Sequence, residues 1–209
     1  MIDKPALRFN TPAVMMNRLK AIVVTALSAM TLLNVSCSSG PGGDRGITSK
    51  TDARQIESRS RAALDRLYRE NPKALELAKT SQGVLVFPEI IKGGFVVGGA
   101  GGDGALYQRG AATGYYRSIS ASWGLQAGLQ KYAYALFLRD QASINNLNKS
   151  GGWEIGSAPG ITVIDKGKLA SLSTATLPKG NTAVFFDQKG LMAGLGLQGT
   201  KVTRLNIYP

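Results

Sequence analysis

The chain of 209 residues is 44% hydrophobic and 18% charged, enough apolar material for a packed core and too much for a disordered chain. It has no histidine and a single cysteine, which excludes Ser-His-Asp and Cys-His catalysis, His- or Cys-rich metal centres and any internal disulfide. The net charge is +12, and from Cys37 onward 21 basic against 12 acidic side chains still leave +9. Such a balance either serves solubility or favours anionic partners: nucleic acid, phospholipid head groups or acidic glycans.

Residues 1–36 read as a signal peptide. Arg18 and Lys20 precede an apolar run from Ala21 to Leu33, the length of a signal h-region and short of the ~20 residues that a membrane-spanning helix needs. A start at Met15 or Met16 is the more usual geometry and makes residues 1–14 an upstream extension. Leu33-Asn34-Val35-Ser36-Cys37 resembles the cleavage box of bacterial lipoproteins, with Asn34 where an aliphatic residue is usual. Cys37 is therefore the expected lipidation site, and the Ser/Gly-rich stretch in residues 37–50 is a flexible tether. The expected location is the bacterial cell envelope, as an outer-membrane lipoprotein facing the periplasm or the cell surface.

Residues 51–70 carry a helical period. Ala53, Ile56, Ala63, Leu64, Leu67 and Tyr68 share one face, and Arg54, Arg59, Arg61, Arg66 and Arg69 the other. A membrane-surface helix and a helix packed on its own domain both fit. Asp52, Glu57, Asp65 and Glu70 dilute the positive face and favour the second. Asn71-Pro72 ends this helix and caps a short second one ending near Gly83.

From Gly83 the pattern changes to short apolar runs between glycines. Val84 to Phe87 is stopped by Pro88, and Gly94 to Gly98 follows. Ala105 to Tyr107 and Tyr115 to Ala121 form a hairpin around Gly110 to Gly114. Tyr132 to Leu138 reads as strand or the start of a helix, and Ala142 to Leu147 as a short helix. Ile161 to Ile164 and Thr182 to Phe186 are further strands. The expected fold is α+β: a mostly antiparallel, curved, glycine-rich β-sheet or partial barrel with the N-terminal amphipathic helices packed on it. Gly124 to Gln130 and Gly190 to Gln198 echo each other as glycine-rich strands.

Gly99-Ala100-Gly101-Gly102-Asp103-Gly104 fits a dinucleotide-binding fingerprint in spacing only, because a strand and turn follow it where a helix should open. Glu89, Asp103, Asp140, Glu154, Asp165 and Asp187 are scattered and form no recognisable acid–base pair. The expectation is no catalytic residue, no metal and no cofactor. Basic and aromatic residues interleave instead, and Lys92, Phe95, Arg109, Tyr115, Tyr116, Arg117, Trp123 and Lys131 are the candidate ligand contacts. Arginine and lysine grip phosphates, and aromatic rings settle at a bilayer interface. The same mixture suits single-stranded nucleic acid, which an exported protein would rarely meet.

Val86-Phe87-Pro88-Glu89-Ile90-Ile91-Lys92-Gly93-Gly94-Phe95-Val96-Val97-Gly98-Gly99 resembles the opening of a SYLF domain. Gly114-Tyr115-Tyr116, Ser122-Trp123-Gly124-Leu125-Gln126-Ala127-Gly128 and Gly190-Leu191-Met192-Ala193-Gly194 follow in that family's order. The resemblance covers roughly residues 55–209 and implies that residues 51–209 form a non-catalytic lipid-binding domain. Family members bind lipids, including phosphoinositides, and some eukaryotic ones bind actin, which would have no target in an envelope. The implied partners are anionic phospholipids or phosphoinositide-like lipids, without nucleic acid. The alternative is a structural envelope protein that uses the sheet as a protein–protein or self-association scaffold.

Overall fold

The computed structural model describes residues 50–94, 97–123, 128–149, 151–155, 160–189, 197 and 199–207. The chain divides into two compact units, Met1–Arg45 and Gly46–Pro209, and every described residue belongs to the second. The signal peptide, Cys37 and the tether up to residue 49 lie outside the described residues, as do most of the two glycine-rich echo segments.

Helix α1 (Lys50–Glu70) forms on the expected period. Ala53, Ile56, Ala63, Leu64 and Leu67 are buried against the sheet. Removing a side chain such as Leu67 from water contributes roughly 2 kcal/mol. Ser60 lies on the same stripe and is fully buried; its hydroxyl donates to the Val86 carbonyl at 3.4 Å, and its small size lets the helix approach the strand. Asn71 then caps α2 (Pro72–Lys79), accepting from the Lys73 amide, with proline in the first turn where no N–H is needed. The apolar face of α1 is thus spent on its own domain.

The strands are β1 (Gly83–Gly94), β2 (Val97–Gln108), β3 (Ala111–Trp123) and β4 (Gly128–Leu138). Helix α3 (Gln141–Leu147) follows, capped by Asp140, and then β5 (Trp153–Glu154) and β6 (Ile161–Asp165). Helix α4 (Lys166–Ala170), β7 (Asn181–Lys189) and β8 (Thr200–Arg204) complete the order. All eight strands join one sheet in the order β5-β8-β3-β2-β1-β4-β7-β6. Only β6 and β7 pair in parallel, and the sheet curls into a half-barrel. This is the α+β architecture expected, and the ambiguous run from Tyr132 is strand β4.

Alternate residues divide the core. Val84, Val86, Ala105, Tyr107, Tyr115, Ala135 and Phe137 face α1 and α2. Leu85, Phe87, Leu106, Tyr116, Tyr134 and Phe185 face the other way, under α3, Ile155 and Leu197. There Tyr134 stacks on Phe87 at 4.7 Å between ring centroids, and its hydroxyl donates to Ser118 at 2.8 Å. Because both faces are covered, the β4 run from Tyr132 to Leu138 is buried without a break, which is why it shows no alternation in sequence.

Two local expectations are corrected. Pro88 does not end a strand: β1 continues to Gly94, with proline inside a register shift between Phe87 and Ile90. Gly114 is within β3, and the hairpin turns on Arg109 and Gly110 alone, with φ of 51° and 84°. As the strand-like sequel indicated, the Gly99–Gly104 motif opens no helix; it lies inside β2 as antiparallel strand.

The glycines of β2 are of two kinds. A Cβ on Gly102 or Gly104 would stand 2.2 Å from the carbonyl oxygen of Glu89 or Val86. A Cβ on Gly101 would come no closer than 3.5 Å to any atom. Gly104→Ala should therefore destabilise the domain by about 1–3 kcal/mol in chemical denaturation, and Gly101→Ala by less than about 0.5 kcal/mol. Equal effects of the two would contradict the register.

Candidate functional site

On the face that carries α1, hydrogen-bonded register partners line up in rows across the strands. The first row, Tyr115, Ala105, Val86, Ala135 and Val184, lies in the core cluster beneath α1. The next is polar. Arg117 donates from Nε and Nη2 to the two carboxylate oxygens of Asp103 at 2.8 and 3.2 Å. Beside them, Lys131 pairs with Glu89 at 3.3 Å.

Beyond this seam runs a row over seven strands: Glu154, Lys201, Ile119, Gly101, Ile91, Lys131 and Lys189. Directly opposed residues project from the same side of a sheet, so lysines flank isoleucines on one surface. Ile119 is 56% exposed and Ile91 43%. The row after it, Ala121, Gly99, Gly93 and Leu129, ends on a leucine that is 68% exposed. No atom lies within 4 Å of a Cβ built on Gly93, and only a backbone oxygen at 3.8 Å meets one on Gly99. The surface is therefore low, open and apolar at its centre, with exposed lysines on both sides.

Two features of this surface oppose the ordinary preferences of a folded chain. Large aliphatic side chains lie in water although a packed core is available on the same strands. Lys131 and Lys189 stand directly opposite each other on β4 and β7, where like charges repel. Among the described residues, neither Lys189 nor Lys201 forms an ion pair.

Of the residues expected from sequence, Lys131 belongs to this surface and Arg117 borders it, held by Asp103. Lys92 pairs with Gln130 and Ala100, so it projects from the opposite face. Arg109 is in the β2–β3 turn at the far end of the strands. Tyr115 and Tyr116 are 3% and 1% exposed, and their hydroxyls donate to Glu57 and Asn148. Burial raises both phenol pKa values, keeping them neutral core residues. The backbone of Trp123 pairs with Val97, while its side chain and all of Phe95 lie outside the described residues. The candidate contacts thus do not gather into one site. The sequence reading missed Ile91, Ile119, Leu129, Lys189 and Lys201, whose common placement follows only from the register.

Among the described residues, no group of three carboxylate, cysteine or histidine side chains is placed to hold a metal ion. No described helix is long and apolar enough to cross a membrane.

If the opposed lysines are kept at the expense of stability, Lys189→Glu should stabilise the domain. The gain expected is about 0.2–1 kcal/mol at low ionic strength, by conversion of a repulsive cross-strand pair into an attractive one. It should fade in high salt. A loss of stability in thermal unfolding at low salt would contradict the arrangement.

A search of curated proteins finds no match to the chain. A family model does match: Ysc84, described as "Las17-binding protein actin regulator", aligns with residues 119–206. The aligned segment begins inside β3 on Ile119 and ends beyond β8, so the Val86 to Gly99 motif precedes it. Over residues 119–206 the chain is similar to the Ysc84 or SYLF domain family, in agreement with the resemblance that the motif order carries.

Proposed function

We propose that this domain is a non-catalytic membrane-docking module that reads anionic phospholipid head groups. The observation that carries the reading is the row in which Ile119 and Ile91 lie exposed between Lys201 on one side and Lys131 and Lys189 on the other. A bilayer interface rewards that pattern. Aliphatic side chains enter the acyl boundary, and ammonium groups remain at phosphate depth. Each lysine near an anionic surface adds about 1 kcal/mol, within a Debye length. The open glycines between the isoleucines let the sheet lie close to the head groups. Arg117 with Asp103 and Lys131 with Glu89 form ion pairs along the boundary with the helix-covered core, and Lys189 and Lys201 add positive charge beyond them.

In the same proposal, residues 1–36 direct export, and Cys37 is acylated and anchors the chain in a bacterial envelope membrane, facing the periplasm or the cell surface. The tether keeps the domain at a high effective concentration over that membrane. An exported chain would meet neither actin nor the actin regulators of the family's description, and the lysine–isoleucine surface suits lipid.

Vesicle flotation of the chain carrying Cys37→Ser tests the docking without the lipid anchor. The expected result is binding to phosphatidylglycerol-containing vesicles at low salt, weakened in high salt and absent on neutral vesicles. Replacing Lys131, Lys189 and Lys201 together by Glu should weaken it at least about a hundredfold. Ile91→Ser with Ile119→Ser should weaken it while leaving the salt dependence in place. Flotation unchanged by both sets would reject this surface, and no flotation at all would favour a protein-binding scaffold.

A further inference from the structure

At the other end of the sheet, a cleft of about 550 Å³ opens between α1, the end of α2 and the β2–β3 hairpin. Tyr107, on its wall, is six residues along β2 from Gly101 of the lysine–isoleucine row, about 20 Å of extended strand. A molecule in this cleft is therefore not a lipid held by that row.

Among the described residues, two arginines line the cleft and no carboxylate does. Arg61 is fixed in place: its Nη2 donates to the Gly110 carbonyl at 2.7 Å, and its guanidinium lies 4.5 Å from the centre of the Tyr107 ring. One of the five N–H donors of a guanidinium is spent on that carbonyl, and the stacked geometry is set before any ligand arrives. Arg109 occupies a left-handed turn position, φ 51°, which disfavours an arginine by roughly 1 kcal/mol and suits glycine or asparagine. The strain places a second cation on the rim.

The remaining wall is uncharged and mixes polar with apolar side chains. Gln82, Gln108 and Gln141 contribute amides, which donate and accept together, as sugar hydroxyls do. Tyr68 adds a phenol that burial pushes up to about 12, so it remains protonated and able to donate. Leu64 and Val84 supply an apolar floor for ring C–H groups. Beside the stacked pair, the Glu57 carbonyl accepts from the Tyr107 hydroxyl at 2.8 Å and the Glu57 carboxylate from the Tyr115 hydroxyl at 3.1 Å. One carboxylate so near offsets part of the arginine charge, which favours a singly charged ligand over a phosphate dianion.

We infer that this cleft binds an acidic sugar, a hydroxylated ring bearing one carboxylate, with Arg61 and Arg109 on the carboxylate and the glutamines on the hydroxyls. The volume accommodates one or two such rings. The inference does not depend on membrane docking, since its site and its ligand are different.

The test is a titration of the full chain carrying Cys37→Ser, followed by NMR of its backbone amides, with glucuronate, short galacturonate oligomers, glucose and inorganic phosphate. Glucuronate or the oligomers should produce saturable shifts at Gln82, Gly110 and Thr113 that glucose does not. Tighter binding of the oligomers identifies a polymer as the source, and equal binding a free sugar. Arg109→Gly should weaken binding about tenfold, the value of one charge-assisted hydrogen bond. It should leave the unfolding temperature unchanged or higher, because it relieves the turn. No saturable shift with either acid, phosphate competing as well as glucuronate, or full affinity in Arg109→Gly would each overturn the assignment.

Discussion

The paired charges of Arg117 with Asp103 and of Lys131 with Glu89 divide one face of the sheet in two. On one side of that seam α1 closes over Tyr115, Ala105, Val86, Ala135 and Val184. On the other side the same strands continue with isoleucine, leucine and glycine and, among the described residues, receive no helix. The extent of α1 contact is set locally: Ser60 lets the helix sit on Val86, and Tyr107 holds the Glu57 carbonyl with its hydroxyl at 2.8 Å. Further along, Arg66 forks onto Asp187. A helix fixed at these points covers the hairpin end of this face, while Ile91, Ile119 and Leu129 beyond the seam are exposed.

Glycine serves both halves differently. Gly102 and Gly104 are demanded by the shifted register of β1, since a methyl group would collide with backbone oxygen. Gly93, Gly99 and Gly101 are not demanded by any contact of that kind, and they keep the exposed surface flat between its aliphatic side chains. The strand that reads as a dinucleotide motif is thus a steric requirement on one face and an open surface on the other. The two ends of the sheet then have different chemistry: ammonium groups around aliphatic side chains at one, and stacked guanidinium and amides around a cleft at the other.

Much of the fold is legible in the sequence because it rests on local rules. The stripe from Ala53 to Leu67, the Asn71-Pro72 cap and the β-branched runs each specify an element without reference to the rest of the chain. The site was not legible in the same way. Lys92 and Lys131 look alike in sequence, and only the pairing of Lys92 with Gln130 and of Lys131 with Ile91 puts them on opposite faces. Tyr115 and Tyr116 suit either a bilayer interface or the core in sequence and are core, because β3 is covered on both sides at that point. Ile119, which the sequence places only in a strand, is exposed beyond the seam. Each of these depends on register or on the reach of a helix, which are properties of several segments at once.

The most direct test of the docking account compares two labelled positions on one molecule. In a chain with Cys37→Ser, an environment-sensitive fluorophore is placed by Ile119→Cys on the exposed row or by Arg59→Cys on the outer face of α1, and anionic vesicles are added. The account predicts a blue shift, with quenching by lipid-borne quenchers, at position 119 and neither at position 59. A response at position 59 without one at 119 would contradict it and assign the membrane contact to the helical arm.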